Sequence, residues 1–192
     1  MYKKIYQSPI SNIILTSDGT NLTGLYFENS YDSQKHNPNY IEQDLEIFET
    51  TINWLDTYFQ RKKPNFTPKY KLELTPFQQE VTEIMNKIPY GTTTTYNNIA
   101  KEIAKKRGIK KMSAQAVGNA VGNNPICIII PCHRVLGQNN NLTGYGGGIK
   151  NKIKLLEIEG NYIQKYKIPK KGNKLWTKEA IGLTPTNYQI PY

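Results

Sequence analysis

A chain of 192 residues and 22.0 kDa can bury about 70 per cent of the surface its unfolded form exposes, enough for one large domain or two small ones sharing a core. Its two cysteines, Cys127 and Cys132, lie on one segment; they exclude a disulfide framework and a zinc site and point to a reducing compartment. The start, Met1-Tyr2-Lys3-Lys4, is followed by polar residues and no stretch reaches the length of a membrane span, so a soluble cytoplasmic protein is expected, and a formal net charge of +10 makes a polyanion such as nucleic acid its first partner to consider.

Ile10 to Ser17 and Leu22 to Phe27 read as two strands joined near Asp18-Gly19, a dipeptide that tolerates the positive φ of a hairpin turn. After a polar loop from Asn29 to Pro38, the apolar residues Ile41, Leu45, Phe48, Ile52, Leu55 and Phe59 recur at helical spacing, which predicts a long helix capped by Asn39. Glu42, Asp44, Glu46 and Glu49 near its start and Arg61, Lys62 and Lys63 past its end suit the helix dipole. Pro64 and Pro68 break the pattern, so a linker over 62–74 is expected to divide an amino-terminal strand-and-helix unit from everything that carries chemistry.

Thr75-Pro76-Phe77-Gln78 combines a capping threonine, a proline at the first helical position and a glutamine three residues after the cap, and predicts a helix with Phe77, Val81, Ile84, Met85 and Ile88 facing inward. Pro89-Tyr90-Gly91 ends it, and the threonines that follow can cap a second helix that buries Ile99 and Ile103. Lys101, Lys105, Lys106, Arg107, Lys110 and Lys111 then crowd one short segment, either a phosphate-tracking surface or a solvated basic face. A third helix starts at Ser113 and is rich in small residues through Val121; glycine inside a helix costs roughly 1 kcal/mol relative to alanine, so close approach by another backbone is expected there. Two short helices with a basic connection resemble a helix-turn-helix, though many such hairpins only pack against a core.

Asn123-Asn124-Pro125 marks a turn, and Ile126 to Ile130 is an apolar run read as a buried strand. Pro131 cannot donate to a sheet ladder, so pairing should stop there and deliver Cys132 to a site edge. A thiol has an unperturbed pKa of about 8.5, and His133 and Arg134 are the neighbours able to favour its thiolate. Adjacent residues of an extended chain point to opposite faces, so a turn or a water must link Cys132 to His133. The alternative for Cys132 is an inert buried thiol, which is the better reading of Cys127.

The run from Asn124-Pro125 through Pro131-Cys132-His133-Arg134-Val135, then Leu142-Thr143-Gly144-Tyr145-Gly146-Gly147-Gly148 and Leu155-Leu156-Glu157-Ile158-Glu159-Gly160, resembles the O6-alkylguanine-DNA alkyltransferases. The resemblance covers roughly residues 75 to 160. It implies a protein that flips an O6-alkylated guanine out of double-stranded DNA and takes the alkyl group irreversibly onto cysteine, with no cofactor and no metal, acting as a monomer away from any membrane. It further implies Cys132 as nucleophile, His133 as its base through a water, Glu159 orienting His133, Asn124 bracing the active-site segment and Tyr96 donating toward the flipped base. Tyr145, Gly146 and Gly147 would wall the pocket, the carbonyls of Cys132 and Val135 would read the guanine amine, and Ser113, Ala114, Gln115, Ala116, Gly118 and Arg134 would complete the contacts to DNA and substrate. From the residues alone, Glu159 could equally be the last exposed residue of a helix closed by Gly160.

One departure stands out: Gln115 occupies the position where the family commonly carries an arginine that fills the gap left by the flipped nucleotide. Residues and resemblance together describe an α+β chain. A small amino-terminal antiparallel-sheet and helix domain spans 1–70, a mostly helical, winged-helix-like catalytic and DNA-binding domain spans 75–160, and a basic aromatic extension spans 161–192. The extension, with Tyr162, Tyr166, Trp176, Tyr188 and Tyr192, either adds DNA contacts or folds back on the protein. Three rivals differ by their need for Cys132: a non-catalytic alkyl-lesion binder and a winged-helix regulator have none, and a cysteine hydrolase would turn over repeatedly.

Overall fold

In the computed structural model of the chain, residues 1–35 and 39–168 are described; Trp176, Tyr188 and Tyr192 of the extension lie outside them. The chain is α+β. Strands β1 (Tyr2–Tyr6), β2 (Ile13–Ser17), β3 (Leu22–Phe27) and β4 (Ile41–Glu42) form a sheet in the order β3-β2-β1-β4, antiparallel except for the β1–β4 edge. Helix α1 (Glu46–Phe59) precedes the linker; α2 (Pro76–Asn86), β5 (Thr94–Thr95), α3 (Tyr96–Lys106), α4 (Ala114–Val121), β6 (Val135–Leu136) and α5 (Ile149–Ile158) follow it. Among the described residues no helix is long and apolar enough to cross a membrane.

The hairpin at Asp18-Gly19 forms as expected: Asp18 Oδ1 accepts from the amides of Thr20 and Asn21, and Gly19 takes φ 108°. β2 starts at Ile13 and not at Ile10, because the Ser8 hydroxyl accepts from Ile10 and Ser11 and holds those residues in a turn. β1 carries no sequence signal, since none of its five residues is fully buried and the period of two is absent.

The amino-terminal helix is shorter than its periodicity suggests, and rotated. Ile41 pairs with Tyr2 in β4 and is 62 % exposed, Asn39 is no cap, and α1 begins after Leu45 without a side-chain cap. Ile47, Phe48, Thr51, Trp54, Leu55 and Tyr58 are its buried residues, while Ile52 and Phe59 lie at the margin. By contrast α2 starts with the capping box read from Thr75 and Gln78, α3 is capped by Thr95 and α4 by Ser113. Gly118 of α4 faces no backbone: a Cβ there would meet the Tyr96 ring at 3.8 Å, ordinary contact.

One core runs through both halves, joining Leu25 and Phe27 of β3 and Phe48 and Leu55 of α1 to Val81, Met85, Ile99, Ile103, Ile126 and Ile130. Each such side chain contributes roughly 1.5–3 kcal/mol on burial. The amino-terminal unit is therefore not set apart from the chemistry. The outer edge of β3 receives two later segments: Leu22 exchanges hydrogen bonds with Lys69 and Lys71, and Leu25 accepts from the Cys127 amide at 2.8 Å while donating to Pro125 O at 2.9 Å.

Candidate active site

The apolar run 126–130 is not a strand. Only Ile126 bridges to β3; the chain then turns, with Ile128 at φ 68° and Ile129 N–H bonded to Cys127 O at 2.8 Å. Ile126, Ile128 and Ile130 are buried because the turn is wrapped in the core, a condition that periodicity cannot separate from a strand. Asn124 holds the turn together. Its Oδ1 accepts from Ile126 N, and its Nδ2 lies 3.2 Å from Ile126 O, 3.0 Å from Ile130 O and 3.0 Å from Cys132 Sγ.

Cys132, His133 and Arg134 then form a single 3-10 turn, which carries His133 inward. Cys132 is 5 % exposed and His133 is fully buried. The Cys127 thiol, donating toward Cys132, and the Asn124 amide both favour the Cys132 thiolate and bring its pKa below the ordinary value against the opposing effect of burial. Cys127 is pushed well above its ordinary value by that same contact and by burial, consistent with an inert thiol.

Glu159 is not an exposed helix end. It closes α5 with its carboxylate inside the protein, 2.7 Å from His133 Nε2, and accepts from Tyr58 Oη, Gly91 N and the Arg134 guanidinium. Burial alone would raise its pKa, but His133 and Arg134 outweigh that and hold it at about 2. An ionised carboxylate only accepts hydrogen bonds, so Nε2 carries the imidazole proton, and Nδ1 of the neutral ring is left as the acceptor. Nδ1 is buried and bonded to no other protein group, and burial lowers the ring's pKa, keeping it neutral and available as a base.

Arg134, expected at the substrate, is instead buried in this network, with Nη1 donating to Ile88 O at 2.7 Å and the guanidinium over the Tyr90 ring. Its place is behind the histidine. Lys152, not among the residues expected at the site, joins it: fully buried, it donates to Val135 O at 2.7 Å and Thr143 O at 3.1 Å, tying the turn after Cys132 to the glycine loop. Burial lowers its pKa to about 7, against the opposing influence of Cys132. The spacing of Ile149, Lys152, Ile153 and Leu156 on one face of α5 was the signal that this lysine points inward.

A cavity of about 680 Å³ opens between α4 and the glycine loop. Tyr96, Ala114, Gln115, Gly118, Tyr145 and Gly146 line it, all six expected at the substrate; Ser113, Ala116, Val135 and Gly147 do not. Tyr96 Oη donates to the carbonyls of Thr143 (3.2 Å) or Gly144 (2.9 Å) and so fixes the glycine loop. Gly147 is a packing glycine, since a Cβ there would fall 2.7 Å from the Tyr145 ring and 2.9 Å from that of Phe27. Ser113 serves as the cap of α4, accepting from Ala116 N.

The basic segment divides in two. Arg107 forks onto Glu80 and lies over Phe77, and Lys106 sits near Glu80 and Glu83, so these charges bind α3 to α2. Lys101, Lys105, Lys110 and Lys111 are exposed. If these four track phosphates, their replacement by alanine reduces the slope of log affinity against log salt by about one unit for each phosphate no longer neutralised, whereas neutralising Arg107 mainly loosens α3; titrations on duplex DNA at several salt concentrations check this, and an unaltered slope assigns the lysines to a solvated face.

Comparison with known proteins agrees over nearly all of the described chain. The family model "6-O-methylguanine DNA methyltransferase, ribonuclease-like domain" matches residues 1–74, and "6-O-methylguanine DNA methyltransferase, DNA binding domain" matches residues 76–161. The chain is 37 % identical over 161 residues to a methylated-DNA–protein-cysteine methyltransferase of Haemophilus influenzae, covering 83 % of this chain and 86 % of that one. It is 38 % identical to the protein of the same name from Methanosarcina acetivorans, covering 84 % and 99 %. Among solved structures it is similar to Mycobacterium tuberculosis OGT in complex with DNA, with a TM-score of 0.71, 35 % identity and coverage of 86 % and 95 %.

Proposed function

The chain belongs to the 6-O-methylguanine DNA methyltransferases, and from that premise we propose that Cys132 is the alkyl acceptor, His133 its base and Glu159 the group that orients and holds the base. The protein repairs DNA by moving an alkyl group from O6 of a guanine to one of its own cysteines, irreversibly and once. In this reading the Cys132 proton passes to His133 Nδ1 through a water, and the sulfur attacks the alkyl carbon. The carbon–O6 bond breaks, guanine leaves restored, and the thioether remains. Extrusion of the lesion costs a few kcal/mol, least where pairing is already damaged, which favours alkylated over normal guanine.

The observation that supports these roles is the disposition of the two histidine nitrogens: Nε2 is held by a buried, ionised Glu159, and Nδ1 is a free acceptor one residue from a sulfur whose thiolate Asn124 and Cys127 favour. That is the nucleophile–base–carboxylate logic of covalent catalysis, defined by geometry. Tyr96, whose hydroxyl now serves the glycine-loop carbonyls, would turn toward the departing base, and Arg134 and Lys152 hold the base-side carboxylate and the loop in register. Inside the cell, we place the protein with the chromosome as a monomer.

Duplex DNA carrying radiolabelled O6-methylguanine provides the test. Label should move to protein and plateau at one methyl per chain; continued release of label to solvent would instead indicate a hydrolase. Gln115, exposed and bonded to Asn119 at 3.3 Å, brings no charge to the position of the usual arginine. Gln115→Arg is expected to speed transfer on duplex DNA severalfold with little effect on single strands, and an equal effect on both would remove Gln115 from the flipping step.

A further inference from the structure

Tyr58 of α1 touches the buried carboxylate that serves the base, and the reaction described above gives it no part. Its Oη donates to Glu159 Oε1 at 2.9 Å, the oxygen that also lies 2.7 Å from His133 Nε2 and 2.8 Å from Arg134 Nη2, while Oε2 accepts from Gly91 N at 3.1 Å and Arg134 Nε at 2.9 Å. Of these donors Tyr58 alone precedes the linker. It is fully buried, stacked on Trp54 with ring centroids 5.5 Å apart, and its ring meets Phe59, Tyr90 and His133 edge-on at 5.5, 6.0 and 6.5 Å. Aromatic pairs in these geometries attract beyond the area they bury, so the ring and its hydroxyl are fixed. Burial and the neighbouring carboxylate push the phenol well above its ordinary pKa; it stays protonated and donates to an ionised group that can only accept.

Several donors therefore share one oxygen that has about two lone pairs, and each bears on where that oxygen sits. Arg134 and Gly91 between them engage both oxygens and hold the plane of the carboxylate, whereas Tyr58 pulls on Oε1 alone, the atom that meets His133. The hydroxyl also shares the negative charge of Oε1 with the imidazole. Without it more of that charge would bear on His133 and favour the imidazolium, which is no base.

We propose that Tyr58 is a positioning residue for alkyl transfer, acting through Glu159 to keep His133 aligned as a base, so that α1 of the amino-terminal unit takes part in the chemistry. This rests on the alkyltransferase reading. A tyrosine that merely filled the core would contribute stability and nothing to the protonation of the histidine.

Single-turnover methyl transfer by the full chain, measured on O6-methylguanine duplex with protein in excess across the acid and neutral range, tests it with Tyr58→Phe and with Phe48→Leu, a packing change near the start of the same helix. Phenylalanine keeps the ring and its stacks and removes only the hydroxyl. Tyr58→Phe should transfer about tenfold more slowly while binding the duplex as tightly as the wild-type chain. Its acid limb, where Cys132 is a thiol and His133 an imidazolium, should move to higher pH. Tyr90, Arg134 and Lys152 are the other titratable or charged side chains that act on Glu159 or His133, and all three stay in place. Phe48→Leu should lower the urea midpoint and leave the acid limb where it was. A Tyr58→Phe acid limb that does not move, whether or not the rate falls, or a displacement that Phe48→Leu shares, overturns the role of Tyr58. If Tyr58→Phe does not fold, the wild-type protein still decides: the Tyr58 hydroxyl proton should give a slowly exchanging NMR resonance in Overhauser contact with the His133 Nε2 proton, and absence of that contact overturns the role. Methyl transfer by the wild-type chain is the control: its absence would remove the alkyltransferase reading itself, whereas transfer with an unmoved acid limb in the variant removes only the part assigned to Tyr58.

Discussion

Cys132→Ala is expected to lower alkyl transfer by on the order of a thousandfold or more while leaving duplex affinity nearly intact. Cys127 cannot take over. It is 1 % exposed, its thiol is held protonated by burial and by its contact with Cys132, and its amide is fixed to Leu25 O on the edge of β3. Removing one buried sulfur also leaves the phosphate contacts untouched, and these supply most of the affinity for DNA. The measurement is paired: transfer of label from O6-methylguanine duplex, and binding of the same duplex by anisotropy. Transfer persisting at a tenth of the wild-type rate would place the acceptor elsewhere.

Glu159→Gln should damage both stability and chemistry. Glutamine is the same size, but its single acceptor oxygen cannot serve His133 Nε2, Tyr58 Oη, Gly91 N and the Arg134 fork together, and it leaves the Arg134 guanidinium buried without a counter-charge. Breaking such a pair costs about 3–5 kcal/mol, which a urea midpoint would register directly. Transfer should slow by about a hundredfold, because the histidine loses the partner that fixes its tautomer. Arg134→Met, which removes the cation instead, should cost less rate than Glu159→Gln, since His133 keeps its carboxylate.

Acid should weaken the wild-type fold in two stages. Glu159 is held at about 2 against an ordinary 4.5, so the stability it provides is complete above 4.5 and drains as pH falls toward 2. His133 is held below its ordinary 6.5 by burial, so the unfolded chain takes up a proton that the folded chain refuses, and stability declines as pH drops below 6.5. Urea midpoints measured across this range should show both declines in the wild-type protein, and Glu159→Gln should lose the lower one.

Where a local signal sets structure, it is plain in the chain itself. Thr75 and Gln78 make a capping box from their own side chains, and Asp18-Gly19 closes its hairpin with hydrogen bonds two and three residues away. The amphipathic stripe of α1 is misphased because Ile41 and Leu45 continue the helical spacing while β1 recruits Ile41 into a sheet, a tertiary choice that periodicity does not carry. The run 126–130 fails for the same kind of reason: β-branched residues suit a buried strand or a buried turn, and it is Asn124 that selects the turn.

The site divides along the same line. The proposed nucleophile and its histidine are legible because Pro131-Cys132-His133-Arg134-Val135 is contiguous, and the motif resemblance points to Tyr96, Asn124, Tyr145 and Glu159. What it leaves obscure are residues whose meaning lies in burial. Arg134 looks like a cation for DNA and is the clamp on a carboxylate; Lys152 looks like one of several surface lysines and holds two loop carbonyls; Tyr58 comes from the amino-terminal half, more than 70 residues before the cysteine.

Whether Cys132 is the acceptor is decided by mass analysis of the peptides released after incubation with O6-methylguanine duplex. The peptide that contains Cys132 should gain the mass of one methylene, with fragmentation placing it on that sulfur and not on Cys127, in an amount equal to the guanine restored and with no second round on fresh DNA. An unmodified Cys132 alongside repaired DNA, or a methyl group found on another residue, would overturn its assignment as the nucleophile.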